Sequence, residues 1–449
     1  MLEKSKQAHW VVAGGGMLGL ATALKLIERG EKVTLLESAK ELGGLTSAWK
    51  LGDVTWDRFY HVTLLSDTKL RALLEKLDLE KEIEWVQTRT GFYSDGKLHS
   101  MSNTLEFLTF PVLNFYQKLR LGGTIFLGSK IKNWRAMERL PVESWLRRWS
   151  GSSTYKKIWL PLLKAKLGEA YQRASAAFIW SYIDRMYKAR RSGMKREMFG
   201  YVPGGYQRIL AKMQQTLIER GCRILCDANI QKMEAREGQG LEVTFGPSDD
   251  PRKETFDRAI LTIPSHTIST VCPQLQPDEH QRLQSVEYIG VVCTSLLLEQ
   301  PLGGYYVTNI TDSWVPLTGI IEMGAIVKPD KLDGHYLVYL PRYLMSDDSR
   351  LLESEDSIHE RCLQTLEKMY PQFRREQVKA IQTARAKYVM ALPTLNYSET
   401  RPKIVSSMPG VYLLNSAQIV KGNLNVNETL ELLDEEMDQT VWRDHQRLG

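Results

Sequence analysis

Cysteine is scarce in this chain. Cys222, Cys226, Cys272, Cys293 and Cys362 are the only five among 449 residues, and no C-x-x-C or other metal-ligand spacing joins them. An odd, scattered set with mostly apolar neighbours excludes a disulfide framework and reads as reduced core thiols in a reducing compartment. Long uncharged apolar runs are also missing, so no bilayer-spanning helix is expected. The basic start runs directly into an apolar strand and does not read as a secretory leader. Neither sign of charge dominates: the formal net charge is +6. With no nucleic-acid-binding motif beside it, that balance does not call for a nucleic-acid partner. The expected location is cytoplasmic, with peripheral contact at the inner membrane left open. A chain of this length exceeds one ordinary domain and implies two or three.

What the sequence does have is a glycine pattern near its start. An apolar run, Trp10 to Ala13, meets Gly14, Gly16 and Gly19 in G-x-G-x-x-G spacing. A helical pattern follows, with Met17 and Leu18 in its first turn, and Gly30 ends it. A second apolar strand, Val33 to Leu36, then finishes at Glu37 and Ser38. Strand, glycines, helix, strand and acid in register are the parts of a dinucleotide site. Gly14 permits the turn, Gly16 lets backbone N–H groups approach a pyrophosphate, and Gly19 lets helix and strand pack closely. The helix N-terminus offers unpaired donors and partial positive charge to the phosphates. Glu37 is placed to accept hydrogen bonds from ribose hydroxyls.

The residues after Glu37, SAKELGGLTSAW, carry a Gly43-Gly44 pair that NAD binding does not need. This segment resembles that of FAD enzymes in the amine oxidase and protoporphyrinogen oxidase superfamily, which includes phytoene desaturases and UDP-galactopyranose mutases. The resemblance implies non-covalent FAD, with the doublet passing beside pyrophosphate and flavin. Leu45 stands where many relatives have Arg, which removes one phosphate contact. The implied fold class is α/β: a Rossmann-like FAD-binding domain of the glutathione-reductase type with an inserted α+β substrate domain. The FAD domain is expected in three segments, 1–75, 196–265 and 395–449. Between them lie a helical cap and substrate domain at 76–195 and a substrate-domain sheet at 266–394.

Later segments continue the resemblance. The helix opened by GYVPGGYQ and ended by Gly221 leads to a strand from Arg223 to Cys226, after which Ala228, Asn229 and Ile230 would pass the adenine. The terminal GVYLLNSAQ has Leu414 and Asn415 where many relatives have Gly-Asp. Asn415 retains hydrogen-bonding capacity toward ribityl or phosphate oxygens without the carboxylate's charge. A helix starting close to Asn425, Val426 and Asn427 would aim its N-terminus at the flavin carbonyls.

Candidates for chemistry come from the strand-like stretch LGDVTWDRFYH, where Arg58, Tyr60 and His61 follow the flavin-binding doublet. A histidine there suits acid or base work near neutral pH. In the sheet region Tyr306, Asn309, Glu322, Arg342 and Tyr343 emerge from apolar strands, and an unpaired buried carboxylate such as Glu322 would be costly. Relatives continue that motif with a His-Thr-Asn-like triplet, whereas Met323, Gly324 and Ala325 stand here. Tyr388 and Pro393 lie in a segment resembling the crossing back to the FAD domain. The string WLPLLKAKLG resembles a PLLRGKFG-like segment of a bacterial oxidoreductase subgroup and places Lys164 and Lys166 at its basic positions. From Phe107 to Arg148, aromatic and apolar residues interleave with Lys118, Arg120, Lys130, Lys132 and Arg135. Two readings fit: cap helices with a solvated basic face, or a surface lying on an anionic membrane.

These observations converge on an FAD-dependent oxidoreductase that removes a hydride from a hydrophobic isoprenoid, tetrapyrrole or lipid-linked molecule. Its electron acceptor is oxygen, a quinone or another carrier. Two alternatives stay open: a mutase-like, non-redox isomerase acting on a sugar nucleotide, and a flavin-bound subunit without turnover.

Overall fold

The computed structural model describes residues 7–191, 198–420 and 424–448. Strand β1 (His9–Ala13), helix α1 (Met17–Glu28) and strand β2 (Lys32–Leu36) form the opening unit. β1 is the middle of a five-stranded parallel sheet. On one side lie β2 and Arg223–Leu225, and on the other Arg258–Leu261 and Val411–Leu413. These strands come from residues 9–36, 223–261 and 411–413, stretches far apart in the sequence. Both faces of β1 are covered, which explains its continuous apolar run. Val12 packs in a core with Leu20 and Leu24 of α1, Ile209 and Met213 of the helix Gly205–Glu219, and Leu433 of the helix Val426–Glu436. Val11 and Ala13 face a second core, shared with Met233 and Val243 of a three-stranded sheet and Ile268 of the helix Ser265–Val271.

The substrate side is a seven-stranded sheet ordered Val378–Ala391, Tyr288–Leu298, Tyr336–Met345, Gly319–Glu322, Val307–Ile310, Thr90–Ser94 and Lys97–Ser100. Tyr288–Leu298 is buried along its whole length, as expected of a strand paired on both edges and covered on both faces. Helices between residues 134 and 191 form the cap, and their core joins Trp145, Leu163 and Phe178 to Ile289 and Met390 of the sheet.

Several sequence expectations change in detail. The stretch before His61 is a hairpin, β3 (Ala48–Leu51) and β4 (Val54–Asp57), turned at the exposed Gly52. Between Thr63 and Glu84 the helix α2 covers only Thr68–Lys76, and Asp78 takes a left-handed backbone with φ 58° just beyond its end. The hairpin around Asp95 and Gly96 pairs into the seven-stranded sheet. The cap begins with α3 (Thr104–Thr109) and α4 (Phe115–Gly128), and Leu121 of α4 joins the same core. Among the described residues no helix is long and apolar enough to cross a membrane.

Candidate FAD and substrate cleft

The glycine turn has the geometry its spacing implies. A Cβ on Gly19 would lie 1.8 Å from the Gly14 carbonyl oxygen, so only glycine lets α1 sit this close to the end of β1. Gly16 is the opposite case: the nearest atom to a Cβ there is 3.9 Å away, so a side chain would grow into the cleft. The α1 N-terminus has no side-chain cap and no acid in its first turn, leaving its N–H donors for another partner. The Gly43-Gly44 doublet runs alongside, its Gly43 N–H donating to the Gly15 carbonyl at 2.8 Å. Glu37 closes the corner; its carboxylate accepts N–H bonds from Gly15 (2.5 Å) and Ala39 (2.8 Å).

From this turn a single cleft of ≈ 1340 Å³ extends to the substrate sheet. Ligand pockets commonly measure about 300–1,000 Å³, so there is room for a dinucleotide and a second molecule. Gly14, Gly16, Met17, Leu18, Glu37, Ser38, Gly43, Gly44, Leu45 and Ile230 line one end. Asn415, Asn425 and Val426 line its side, with Asn425 capping the helix Val426–Glu436 through the Glu428 N–H at 3.0 Å. The uncapped α1 terminus and the open space at Gly16 fit a diphosphate, and the volume of the cleft leaves room for a flavin beyond it.

The far end is aromatic and mostly apolar. Arg58, Tyr60 and His61 leave β4 on a loop that lines the cleft. Arg58 Nε donates to the Ala48 carbonyl at 3.1 Å, and its guanidinium lies 5.9 Å from the Trp49 ring centroid. The hydroxyls of Tyr60 and Tyr343 are hydrogen-bonded at 2.9 Å. His61 is tilted against Tyr206, its Nδ1 is buried without a hydrogen-bond partner, and the Asp57 carboxylate is 3.9 Å away. Burial lowers the His61 pKa to about 4, leaving a neutral imidazole at physiological pH. Burial raises Asp57 to about 8 even though it accepts the Tyr206 N–H at 2.8 Å. Tyr388 also lines the cleft, stacked on His266 with ring centroids 5.6 Å apart.

The model of the flavin containing amine oxidoreductase family matches residues 18–417. The chain belongs to this family. Its cofactor is flavin, and the dinucleotide cradle makes that FAD. The 15-cis-phytoene desaturase of Narcissus pseudonarcissus is 21% identical over 386 residues, covering 80% of this chain and 66% of that protein. A Synechococcus elongatus protein named as a probable zeta-carotene desaturase is 25% identical over 260 residues, 52% of this chain and 53% of that one. The matches thus span between half and two thirds of these relatives' lengths. Among solved structures, an oxidoreductase from Methanosarcina mazei superposes with a TM-score of 0.72 at 17% identity, covering 96% of this chain and 100% of that one. Reduced UDP-galactopyranose mutase gives 0.71 at 14% identity, covering 98% of each chain.

Within this flavoprotein, not every residue expected from sequence reaches the cleft. Glu322 does not line it. Its buried carboxylate instead accepts backbone N–H groups of Leu302, Gly303, Gly304 and Tyr305 at 3.0–3.3 Å, organising the connection between two strands. That satisfies the carboxylate without any ligand. Arg342 is also off the site, in a small separate cavity beside Arg350, Glu353 and Arg361, because strand alternation sends it and Tyr343 to opposite faces. Gly19 serves packing and does not line the cleft. Asn415 lines it, but its Nδ2 donates to the Ile263 carbonyl at 2.7 Å and its Oδ1 accepts the Ala417 N–H at 2.9 Å, so it fixes the corner of the chain. Met323–Ala325 form a short helical turn outside the cleft lining, and Pro393 is outside it as well. Lys164 pairs with Glu169 on the surface, whereas Lys166 faces the cleft.

Sequence reading missed Asp57 altogether. Period-two alternation in β4 groups it with the exposed Thr55, yet the helix start at Tyr206 and the sheet residue Tyr339 cover it. Both partners lie more than a hundred residues away, so no local signal could have marked it.

Proposed function

We propose that the protein is an FAD-dependent oxidoreductase that takes a hydride from a C–H bond of a hydrophobic, isoprenoid-, tetrapyrrole- or lipid-linked substrate. The observation that carries this reading is the continuity of one cleft from an uncapped helix terminus to an apolar, aromatic chamber. Bound FAD supplies the hydride acceptor. The chain's own residues bind and orient. α1 and the doublet hold the diphosphate end, while Val291, Ile321, Phe178 and Ile179 offer an apolar wall that displaces water from the substrate. His61 lines the cleft as a neutral imidazole, which burial keeps from taking a second proton at physiological pH. The desaturase names of the curated relatives support an isoprenoid as the substrate class.

Delivery of such a substrate from a bilayer is part of the proposal. α4 is built inside out: Lys118, Leu121 and Thr124 are buried, whereas Phe115, Tyr116, Leu119, Phe126 and Leu127 are exposed. Leu105 and Leu108 of α3 extend this apolar face. Two residues of the expected basic set turn inward, Lys118 to the Leu108 carbonyl and Arg120 to the carbonyls of Arg148 and Trp149. Lys130, Lys132 and Arg135 remain exposed nearby. An apolar stripe beside lysines and arginine suits an anionic lipid surface.

The test is anaerobic mixing of the FAD-loaded protein with candidate polyenes, porphyrinogens and lipids, followed by bleaching of the flavin absorbance. Bleaching with formation of a product two hydrogens poorer is expected. A sugar nucleotide consumed only after dithionite reduction would replace this reading by an isomerase. Chemically reduced protein that no acceptor among oxygen and quinones reoxidises would point to a subunit without turnover.

A further inference from the structure

Lys166 is out of place in the apolar chamber. The other cations there are engaged: Arg58 with the Ala48 carbonyl, Arg185 with the Asp67 carboxylate at 3.1 Å, and Arg385 with Glu355 at 3.4 Å. Among the described residues, Lys166 has no hydrogen-bond acceptor and no carboxylate. Its ammonium lies instead over the ring of Tyr343, whose centroid is 3.0 Å from Nζ. The placement is fixed by the fold. Lys166 lies on the helix Leu160–Leu167, and the carbonyl of the preceding residue, Ala165, accepts the Thr318 hydroxyl at 2.6 Å. Thr318 Oγ1 in turn accepts the N–H of Tyr343 at 3.1 Å. One threonine therefore clamps the lysine's helix to the very strand residue that the lysine covers.

The energetics are unfavourable without a ligand. Leu162, Phe178, Val307 and Val389 share this part of the cleft, and desolvation alone lowers the lysine pKa to about 7. An aromatic face offsets part of the cost of desolvating a cation, but it supplies no opposite charge to pair with a buried ammonium. A ligand oxyanion would supply the missing charge. The Tyr60–Tyr343 hydroxyl pair uses one phenol proton internally and leaves the other to donate.

We propose that Lys166, seated on Tyr343, holds an anionic headgroup of an otherwise apolar substrate, so that the substrate is an amphiphilic acid rather than a neutral hydrocarbon. This assignment rests on the reading of the chamber as a hydrophobic substrate site. It narrows the substrate class to molecules ending in a carboxylate or phosphate.

Binding to the FAD-loaded protein tests it without turnover. Calorimetric titration with dodecanoate and dodecyl phosphate below their micelle concentrations, and with dodecanol below its solubility limit, compares two acids with a neutral molecule of equal chain length. At least one acid is expected to bind about tenfold or more tightly than the alcohol, and the tighter acid identifies the headgroup. Lys166→Met should erase the preference and Lys166→Arg should keep it. Equal binding of alcohol and acids by the unsubstituted protein would overturn the assignment, as would a preference that survives in Lys166→Met. Failure of all three molecules to bind would overturn the hydrophobic-chamber reading together with it.

Discussion

Glu322 and Gly16 illustrate how far individual residues reveal their roles. A lone carboxylate between Ile321 and Met323 draws attention to itself in sequence, but its four backbone donors come from residues 302–305, across a strand connection that no local pattern links to it. Its work is structural. Glu322→Ala leaves those N–H groups without their acceptor and should cost about 2–4 kcal/mol of stability. Urea unfolding measures this, and the fraction of folded protein that carries FAD should not change. Gly16 was legible because its role depends on backbone alone. The space around it opens into the cleft, so Gly16→Val should fold normally yet lose FAD affinity by about 3 kcal/mol, roughly a hundredfold. Flavin absorbance after purification and dialysis reads the loss; a yellow variant with unchanged affinity would put the diphosphate elsewhere. His61 falls between these cases. The sequence put it beside the cofactor, but its neutral state follows from burial that only the tertiary structure provides.

At the scale of elements, legibility followed how evenly an element is buried. β1 and Tyr288–Leu298 are covered on both faces and stand out as apolar runs. Val378–Ala391, the longest strand among the described residues, is not legible in the sequence along its length. It lies at the edge of its sheet, and Lys379, Gln382, Arg385 and Lys387 along it are common at sheet edges. α4 was noticed for its composition, but composition could not say which face looked inward. The structure answers that with an apolar stripe outside. If that stripe meets a bilayer, Leu119→Ser with Phe126→Ser should weaken co-sedimentation with anionic vesicles by at least about tenfold, from the apolar area lost. Added salt should weaken binding of the unsubstituted protein through its lysines. Because both side chains are exposed, stability should move by no more than about 0.5 kcal/mol. Equal sedimentation of variant and parent would remove α4 from any membrane contact.

At the scale of the molecule, the order of motifs was readable from end to end, while the way three distant segments close on one joint was not. Asp57 is that joint. Its carboxylate accepts the Tyr206 N–H at the start of a helix of the FAD domain, and its carbonyl accepts the Tyr339 hydroxyl from the substrate sheet. Protonation there therefore affects the union of the two halves. His61 has a folded pKa of about 4 against 6.5 unfolded, so between those values the unfolded chain binds the extra proton and stability rises with pH. Asp57 has a folded pKa of about 8 against 3.8 unfolded, so the folded protein binds the extra proton and stability falls with pH across that range. The two slopes oppose each other from about 4 to 6.5, and above 6.5 Asp57 acts alone until about 8. At about 1.4 kcal/mol per pH unit, roughly 2 kcal/mol should be lost over that upper interval. Urea midpoints measured across it should fall in the parent and stay level in Asp57→Asn, whose amide oxygen still accepts the Tyr206 N–H. The same variant should keep the acid-side rise that belongs to His61, now unopposed. A parent whose midpoint is flat over the upper interval would mean that the folded protein holds no extra proton there, with Asp57 ionised beside a neutral His61.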